Sequence, residues 1–127
     1  METLKELREK FPWCSEADRL KSFNKWPYQR ESKCTPVEMA RAGFYCPDEK
    51  FADLAKCFVC DKELDGWEIG DVPWHEHESH SPNCPFIKLG KTESEMKVDD
   101  FLKLACETST FKIVSESSLS QIKRLID

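Results

Sequence analysis

Cys57-x2-Cys60-x16-His77-x6-Cys84 places three thiols and an imidazole within one short stretch of the chain. Three cysteines and a histidine can surround a single zinc ion tetrahedrally and leave no coordination position open. Such a centre holds a fold together, whereas a hydrolytic zinc keeps a position free for water. The donor set therefore points to one structural zinc and a binding module, and argues against a metalloenzyme. Cys57 and Cys60 form the knuckle pair, and Cys84 is the later thiol within the same compact unit. The fourth ligand is open on spacing alone. His75, His77 and His80 are the three histidines of the chain. On a helix opened by Pro73, His77 and His80 share a face while His75 points elsewhere, and common finger spacing to Cys84 would suit His80.

The remaining cysteines, Cys14, Cys34, Cys46 and Cys106, read as free, partly buried thiols, because a second zinc would need another closely paired set. Seven cysteines is an odd number, and the charged, helix-prone segment from Met1 to Arg8 has no apolar signal character. The expectation is reduced, intracellular thiols rather than a disulfide scaffold. A zinc unit this short cannot rely on an apolar core alone, and a structural metal is a usual remedy at that size.

Several elements must position these ligands. Leu4, Leu7 and Phe11 have helical spacing in a short lead-in. Arg19–Phe23 reads as a short helix ended before Pro27. Thr35-Pro36-Val37-Glu38 is a helix start, with a capping hydroxyl, proline at the first helical position and a glutamate three residues on. Gly43 is placed to end that helix in a left-handed conformation, and Phe44-Tyr45 reads as a strand. Cys57–Cys60 reads as a strand entering the metal knuckle, and Lys62–Glu68 as a hairpin arm that bends at Gly66. Pro73 opens a helix through His80, with Asp71 near its N-terminus. Val98, Phe101, Leu102, Leu104 and Ala105 begin a second amphipathic segment. Seven of residues 107–127 are Ser or Thr, so the expected helix is secure only to about Cys106.

The formal net charge is −5. An acidic chain is poorly suited to nucleic-acid phosphate, which demands a basic face, and basic peptides are the better partners. No apolar run approaches transmembrane length. Residues 61–80 hold seven acids against one base, Lys62. Trp67 follows the turn glycine in the middle of those acids, either as an aromatic wall beside carboxylates or as a local core residue. No Gly-rich phosphate loop or paired-carboxylate cleft is recognisable, and an enzyme is not expected.

Gly43-Phe44, Asp53–Cys60, Leu64-Asp65-Gly66-Trp67-Glu68, Asp71–His77 and Cys84-Pro85-Phe86 together resemble the baculoviral inhibitor-of-apoptosis repeat, or BIR, family. The upstream Arg19–Phe23, Trp26-Pro27 and Thr35–Phe44 match its entry, so the resemblance covers about residues 17–88. It implies an α+β fold: a zinc-stapled domain of short helices around a small antiparallel three-stranded sheet, followed by a C-terminal helix. The implied layout is a lead-in over 1–16, the zinc domain over 17–89, a linker over 90–97 and a helical extension over 98–127, truncated or frayed toward its end. By resemblance the zinc ligands are Cys57, Cys60, His77 and Cys84, which leaves His80 free.

Within the family, the chain is similar to members with one BIR domain, a following helix and no RING domain. These bind a free peptide N-terminus by strand addition. Matching positions give Asp71 the terminal ammonium, with Asp65 and Glu76 adding negative potential and Trp67 and Leu64 lining the pocket for a small first side chain. Lys62 and His80 match a basic spot for the phosphate of a histone tail that begins alanine-arginine-threonine-lysine and is phosphorylated on threonine. Phe51 and Gly70 stand where those members carry acids, which implies a looser hold on the following lysine. Phe11, Trp13, Val98, Phe101 and Leu102 resemble a homodimer surface, the alternative being that they cover the domain's own core. The resemblance also implies partnership with the inner centromere protein, borealin and Aurora B kinase as a mitotic chromosomal passenger complex. The corresponding places are nucleus, centromere and spindle midzone, with a cytoplasmic pool. The alternative is an inhibitor of apoptosis that binds caspases or alanine-starting antagonist peptides. The short, Ser/Thr-rich tail 107–127 departs from the long basic helix of these relatives.

Overall fold

A computed structural model describes the backbone of Glu6 and of residues 9–126, and side chains as far as residue 112. Leu4 and Leu7 lie outside the described residues. Helix α1 (Glu16–Ser22) and helix α2 (Pro36–Arg41) precede strands β1 (Phe44–Tyr45), β2 (Ala55–Cys57) and β3 (Glu63–Leu64). Helices α3 (Pro73–His80) and α4 (Pro85–Leu89), a 3-10 turn (Glu93–Glu95) and the long helix α5 (Val98–Ile126) follow. The strands form one antiparallel sheet in the order β1-β2-β3. Phe44 pairs with Cys57, and Ala55 pairs with Leu64. The expected three-stranded sheet with short helices around it is the fold observed.

Local chemistry accounts for these elements. The Thr35 hydroxyl accepts the Glu38 N–H at 3.5 Å, and Pro36 occupies the first turn of α2. Proline also opens α3 and α4, where a missing N–H costs nothing. The hairpin arm is shorter than its sequence suggests: only Glu63 and Leu64 pair, and the chain then turns away at Gly66, whose φ is 68°. Helix α5 runs on past Cys106 to Ile126. Hydroxyls usually compete with helical backbone. Here Thr108 donates to the Leu104 carbonyl at 2.7 Å and Thr110 to the Cys106 carbonyl at 3.1 Å, so both are satisfied inside the helix. No helix of the described residues is long and apolar enough to cross a membrane.

The core is an aromatic stack around the metal ligands. Phe44 lies 4.7 Å from the His77 ring and 5.5 Å from Trp67, and Phe86 packs against Phe58 at 5.4 Å and Trp74 at 5.6 Å. The lead-in belongs to this core. Phe11 is buried between Phe58 at 5.3 Å and Phe101 at 5.9 Å, and Trp13 stacks on Tyr45 at 4.5 Å.

Arg19 ties these parts together from a position that is 1% exposed. Its Nε donates to the Ala40 carbonyl at 3.0 Å, and its Nη1 to the carbonyls of Trp13 at 2.9 Å and Cys14 at 3.1 Å. The guanidinium lies 4.4 Å over the Phe58 ring. A buried charge is tolerated only when its donors are paired. Burial lowers the Arg19 pKa from its ordinary value, against the opposing pull of Glu16 and Glu93. Arginine nevertheless stays protonated in proteins.

Candidate metal centre and acidic groove

The β2–β3 turn, α3 and the N-cap of α4 each deliver ligands to one point. Cys57 ends β2 and Cys60 sits on the following turn, which Asp61 closes in a left-handed conformation at φ 61°. His77 comes from the middle of α3, and Cys84 is the N-cap of α4. One donor atom from each of the four lies within 4.8 Å of all the others. Cys57 Sγ is 3.8 Å from Cys84 Sγ, and Cys60 Sγ is 3.7 Å from His77 Nε2. A tetrahedron with Zn–S near 2.3 Å and Zn–N near 2.0–2.1 Å has S–S edges of ~3.8 Å and S–N edges of ~3.6 Å. The donor set thus fits zinc in both identity and spacing, with all four positions filled by protein.

The surroundings settle which histidine belongs to the set. His77 Nδ1 lies 2.7 Å from the Ala42 carbonyl, which turns Nε2 toward the thiols. Such an outer hydrogen bond fixes both ring orientation and tautomer. His80 is exposed and faces Glu76, with Nε2 3.4 Å from Glu76 Oε2. The backbone N–H of Val59 donates to Cys57 Sγ at 3.3 Å, and the Ser81 hydroxyl donates to Cys60 Sγ at 3.1 Å. Without metal, three neighbouring thiols cannot all ionise. Burial pushes Cys57 well above the ordinary thiol value, while hydrogen bonds from Cys57 and Cys84 pull Cys60 down. The bond from Cys57 pulls Cys84 down as well. The contact with Cys60 and burial outweigh it, and Cys84 is pushed up to about 12. A dication at the centre favours all three thiolates.

Gly43 makes the close packing possible. Its φ is 94°, and a Cβ there would lie 3.0 Å from Phe86 Cδ1 and 3.5 Å from His77 Cε1. Only a residue without a side chain both adopts that backbone and leaves room for the ring behind the ligand.

Beside the metal centre lies an open cavity of about 350 Å³. Leu64, Asp65, Trp67, Asp71, Glu76 and His80 line it, so six of the seven groove residues expected from sequence come together there. Glu63 and Gly66 line it as well. Glu63 was legible only as part of the acidic run. Lys62 is exposed and does not line the cavity; its carbonyl accepts the Cys57 N–H at 3.0 Å. Trp67 proves to be both wall and core. Its ring packs against Phe44 and Trp26, its Nε1 donates to the Leu64 carbonyl at 3.1 Å, and the Tyr28 hydroxyl donates to its carbonyl. Asp71 is preset by accepting the Glu68 N–H at 2.9 Å. β3 is an outer strand of the sheet, so its free edge borders the cavity.

The expected dimer residues divide into two groups. Phe11 is covered by the chain's own core, Trp13 stacks on Tyr45 and Phe101 packs against Phe11. Val98 is 75% exposed, and Leu102 is also exposed.

Comparison with known proteins places this architecture. Residues 19–88 match the BIR family model, described as the Inhibitor of Apoptosis domain. Baculoviral IAP repeat-containing protein 5.2-A of Xenopus laevis is 44% identical over 104 residues, covering 81% of this chain and 66% of that protein. Baculoviral IAP repeat-containing protein 5 of mouse is 45% identical over 104 residues, covering 81% of this chain and 74% of that one. The chain thus spans about two thirds to three quarters of the length of these relatives. Taken with the four-ligand zinc centre and the helix that follows it, these matches show that the chain belongs to the BIR family, as a survivin-like member of it.

Proposed function

We propose that this protein is a non-enzymatic adaptor that reads the free N-terminus of a peptide, above all that of a threonine-phosphorylated histone tail. In this reading it serves the chromosomal passenger complex in mitosis. The observation that carries the proposal is the carboxylate-lined cavity beside the free edge of β3. A peptide backbone adding to β3 would place its terminal ammonium among Asp71, Asp65 and Glu76, with its first side chain against Leu64 and Trp67. His80, on the cavity rim, and Lys62, on the adjoining turn, would take a phosphate two residues further on. The zinc centre has a structural part only: it fixes α3, which lines the groove, and β2, on which the groove strand β3 is paired. BIR proteins of this type are generally adaptors. Partnership with the inner centromere protein, borealin and Aurora B kinase, and residence at centromere and spindle midzone, belong to the same proposal.

Fluorescence anisotropy with peptides beginning alanine-arginine-threonine-lysine tests it. Phosphorylation of the threonine should tighten binding about tenfold, in keeping with a charge-assisted contact of 1–2 kcal/mol. Lys62→Ala should remove that increment, and N-acetylation should abolish binding. Equal affinity for the acetylated, free and phosphorylated peptides would end the proposal.

One observation favours the apoptosis-inhibitor alternative. Phe51 is 60% exposed on a turn that an Asp53–Gly66 hydrogen bond of 3.2 Å ties to the groove, and Ile69 is also exposed. Apolar residues after the alanine would suit such a rim. Competition between a phosphorylated histone end and an alanine-starting peptide with apolar followers decides between the two.

A further inference from the structure

One wall of the acidic groove has no regular element to hold it. Residues 65–72, between β3 and α3, are neither strand nor helix, yet Asp65, Trp67 and Asp71 all stand on them. Backbone carbonyls in such a segment need donors from elsewhere. Three successive ones find theirs on a single neighbouring stretch, residues 28–34. The Tyr28 hydroxyl donates to the Trp67 carbonyl, Cys34 Sγ to the Glu68 carbonyl at 3.3 Å, and the Lys33 N–H to the Ile69 carbonyl at 2.8 Å. Burial pushes the Cys34 thiol above its ordinary value, so it keeps its proton at neutral pH. The Glu68 carbonyl also accepts the Asp71 N–H at 3.0 Å, and the Glu68 N–H donates to Asp71 Oδ2 at 2.9 Å. Cys34 therefore holds the residue that in turn holds the Asp71 carboxylate.

The stretch is itself anchored. Trp26, which is buried, donates from Nε1 to the Cys34 carbonyl at 2.9 Å. Gln29 Nε2 donates to the carbonyls of Phe23 and Trp26, both at 2.8 Å. The Tyr28 ring meets the Trp26 ring edge-on at 6.0 Å, and Trp26 meets Trp67 in the same way at 6.1 Å. Neither Tyr28 nor Cys34 lines the cavity.

We propose that residues 28–34 are a brace that presets the groove, with Tyr28 and Cys34 as positioning residues that do not touch the peptide. This rests on the groove's taking a free peptide N-terminus, as proposed. A wall already held in place need not be ordered at the moment of binding, and that cost is spared. With one clasp removed, Trp67 and Asp71 wander and the ammonium loses a fixed carboxylate. Lys62, on the β2–β3 turn, and His80, on α3, stand outside the braced segment, so the phosphate contact is untouched.

The test compares wild type, Tyr28→Phe and Cys34→Ala as full zinc-loaded chains. The probe is the alanine-arginine-threonine-lysine peptide, fluorescently labelled at its far end, with its N-terminus free or acetylated and its threonine plain or phosphorylated. Each variant should bind the free, unphosphorylated peptide about fivefold more weakly, as for one lost hydrogen bond of ~1 kcal/mol. The gain from phosphorylation should stay as in wild type. Hydrogen exchange should quicken at the Glu68 and Asp71 amides and stay unchanged at Cys57 and Ser81, whose N–H groups bond to the Lys62 and His77 carbonyls beside the metal centre. Wild-type affinity in both variants would overturn the inference. So would exchange that quickens evenly through the domain, or a phosphorylation gain lost together with the free-end affinity, since either makes the two residues ordinary contributors to stability. A wild-type chain that binds free and acetylated ends alike overturns the groove reading and the brace with it. Discrimination between those ends that wild type shows and both variants keep in full, at equal affinity, overturns the brace alone.

Discussion

Replacing Gly43 with alanine should do more damage than any other single added methyl group among the described glycines. Two costs combine at this position. At φ 94° an L-residue pays ~1–2 kcal/mol for a left-handed backbone. The new Cβ would also lie 3.0 Å from Phe86 Cδ1 and 3.1 Å from Cε1, well inside the 3.5–4.0 Å optimum for carbon pairs. Phe86 is held by Phe58, Trp74 and the His77 ring, so it has little freedom to retreat. Overpacking of that kind adds ~1–3 kcal/mol. The sum, ~2–5 kcal/mol, is a large share of a domain's usual stability of 5–15 kcal/mol. At this chain length it should lower Tm by roughly 10 °C or more. Two other glycines separate the costs. Gly66 has φ 68° and open space around it, so Gly66→Ala should lose ~1–2 kcal/mol from strain alone. Gly70 has neither feature, and Gly70→Ala should be neutral or gain a few tenths of a kcal/mol. Thermal unfolding at one fixed zinc excess measures all three. If Gly43→Ala melts with Gly66→Ala, the packing argument around His77 is refuted. If it melts with Gly70→Ala, the backbone argument falls too.

Three further outcomes are expected. Zinc binding to metal-free protein should release about three protons at neutral pH, because the unfolded metal-free chain carries Cys57, Cys60 and Cys84 mostly as thiols and zinc takes all three as thiolates. Calorimetry in buffers of different ionisation enthalpy counts them. Zinc affinity should therefore fall as pH falls, and chelation should unfold the domain. Tyr45 is pushed up to about 12, chiefly by burial and then by Asp61. A raised folded-state value means that its stabilisation is complete below pH 10 and lost as pH rises toward 12. Ultraviolet titration should show a late-ionising tyrosine that Tyr45→Phe removes. Finally, the exposed pair Val98 and Leu102 is expected to carry homodimerisation. Val98→Glu with Leu102→Glu should give a monomer in sedimentation at unchanged Tm, and a dimer that persists would exclude this surface.

Much of the metal centre was legible in the sequence, because a knuckle pair, a later cysteine and a histidine at these spacings have few other uses. The choice between His77 and His80 was not legible from spacing. It depends on the Ala42 carbonyl, which the end of α2 brings to the ring across 35 residues of chain. The groove was half legible: an acidic run with a tryptophan marks it, but the run does not show that Trp67 is anchored in the core or that Lys62 stays outside the cavity lining. Phe11 and Arg19 were read as a partner contact and as part of an ordinary short helix. Their actual roles rest on contacts with Phe58, Phe101 and Ala40, which are distant in sequence. The sequence is evenly balanced on the continuation of α5 past Cys106, because hydroxyl-rich stretches favour turns; Thr108 and Thr110 each find a carbonyl one turn back.

The guanidinium of Arg19 has one further consequence, for how this protein can be dissected. The family match begins at residue 19 itself, yet two of the three carbonyls that satisfy that side chain lie upstream of it. A fragment excised at the family's borders would leave a cation sealed in without its acceptors and would bare the phenyl face that Phe11 shields. Such a piece should purify as a sticky, half-built product. The smallest self-sufficient unit of this chain starts before Phe11 and extends into α5 at least as far as Leu104.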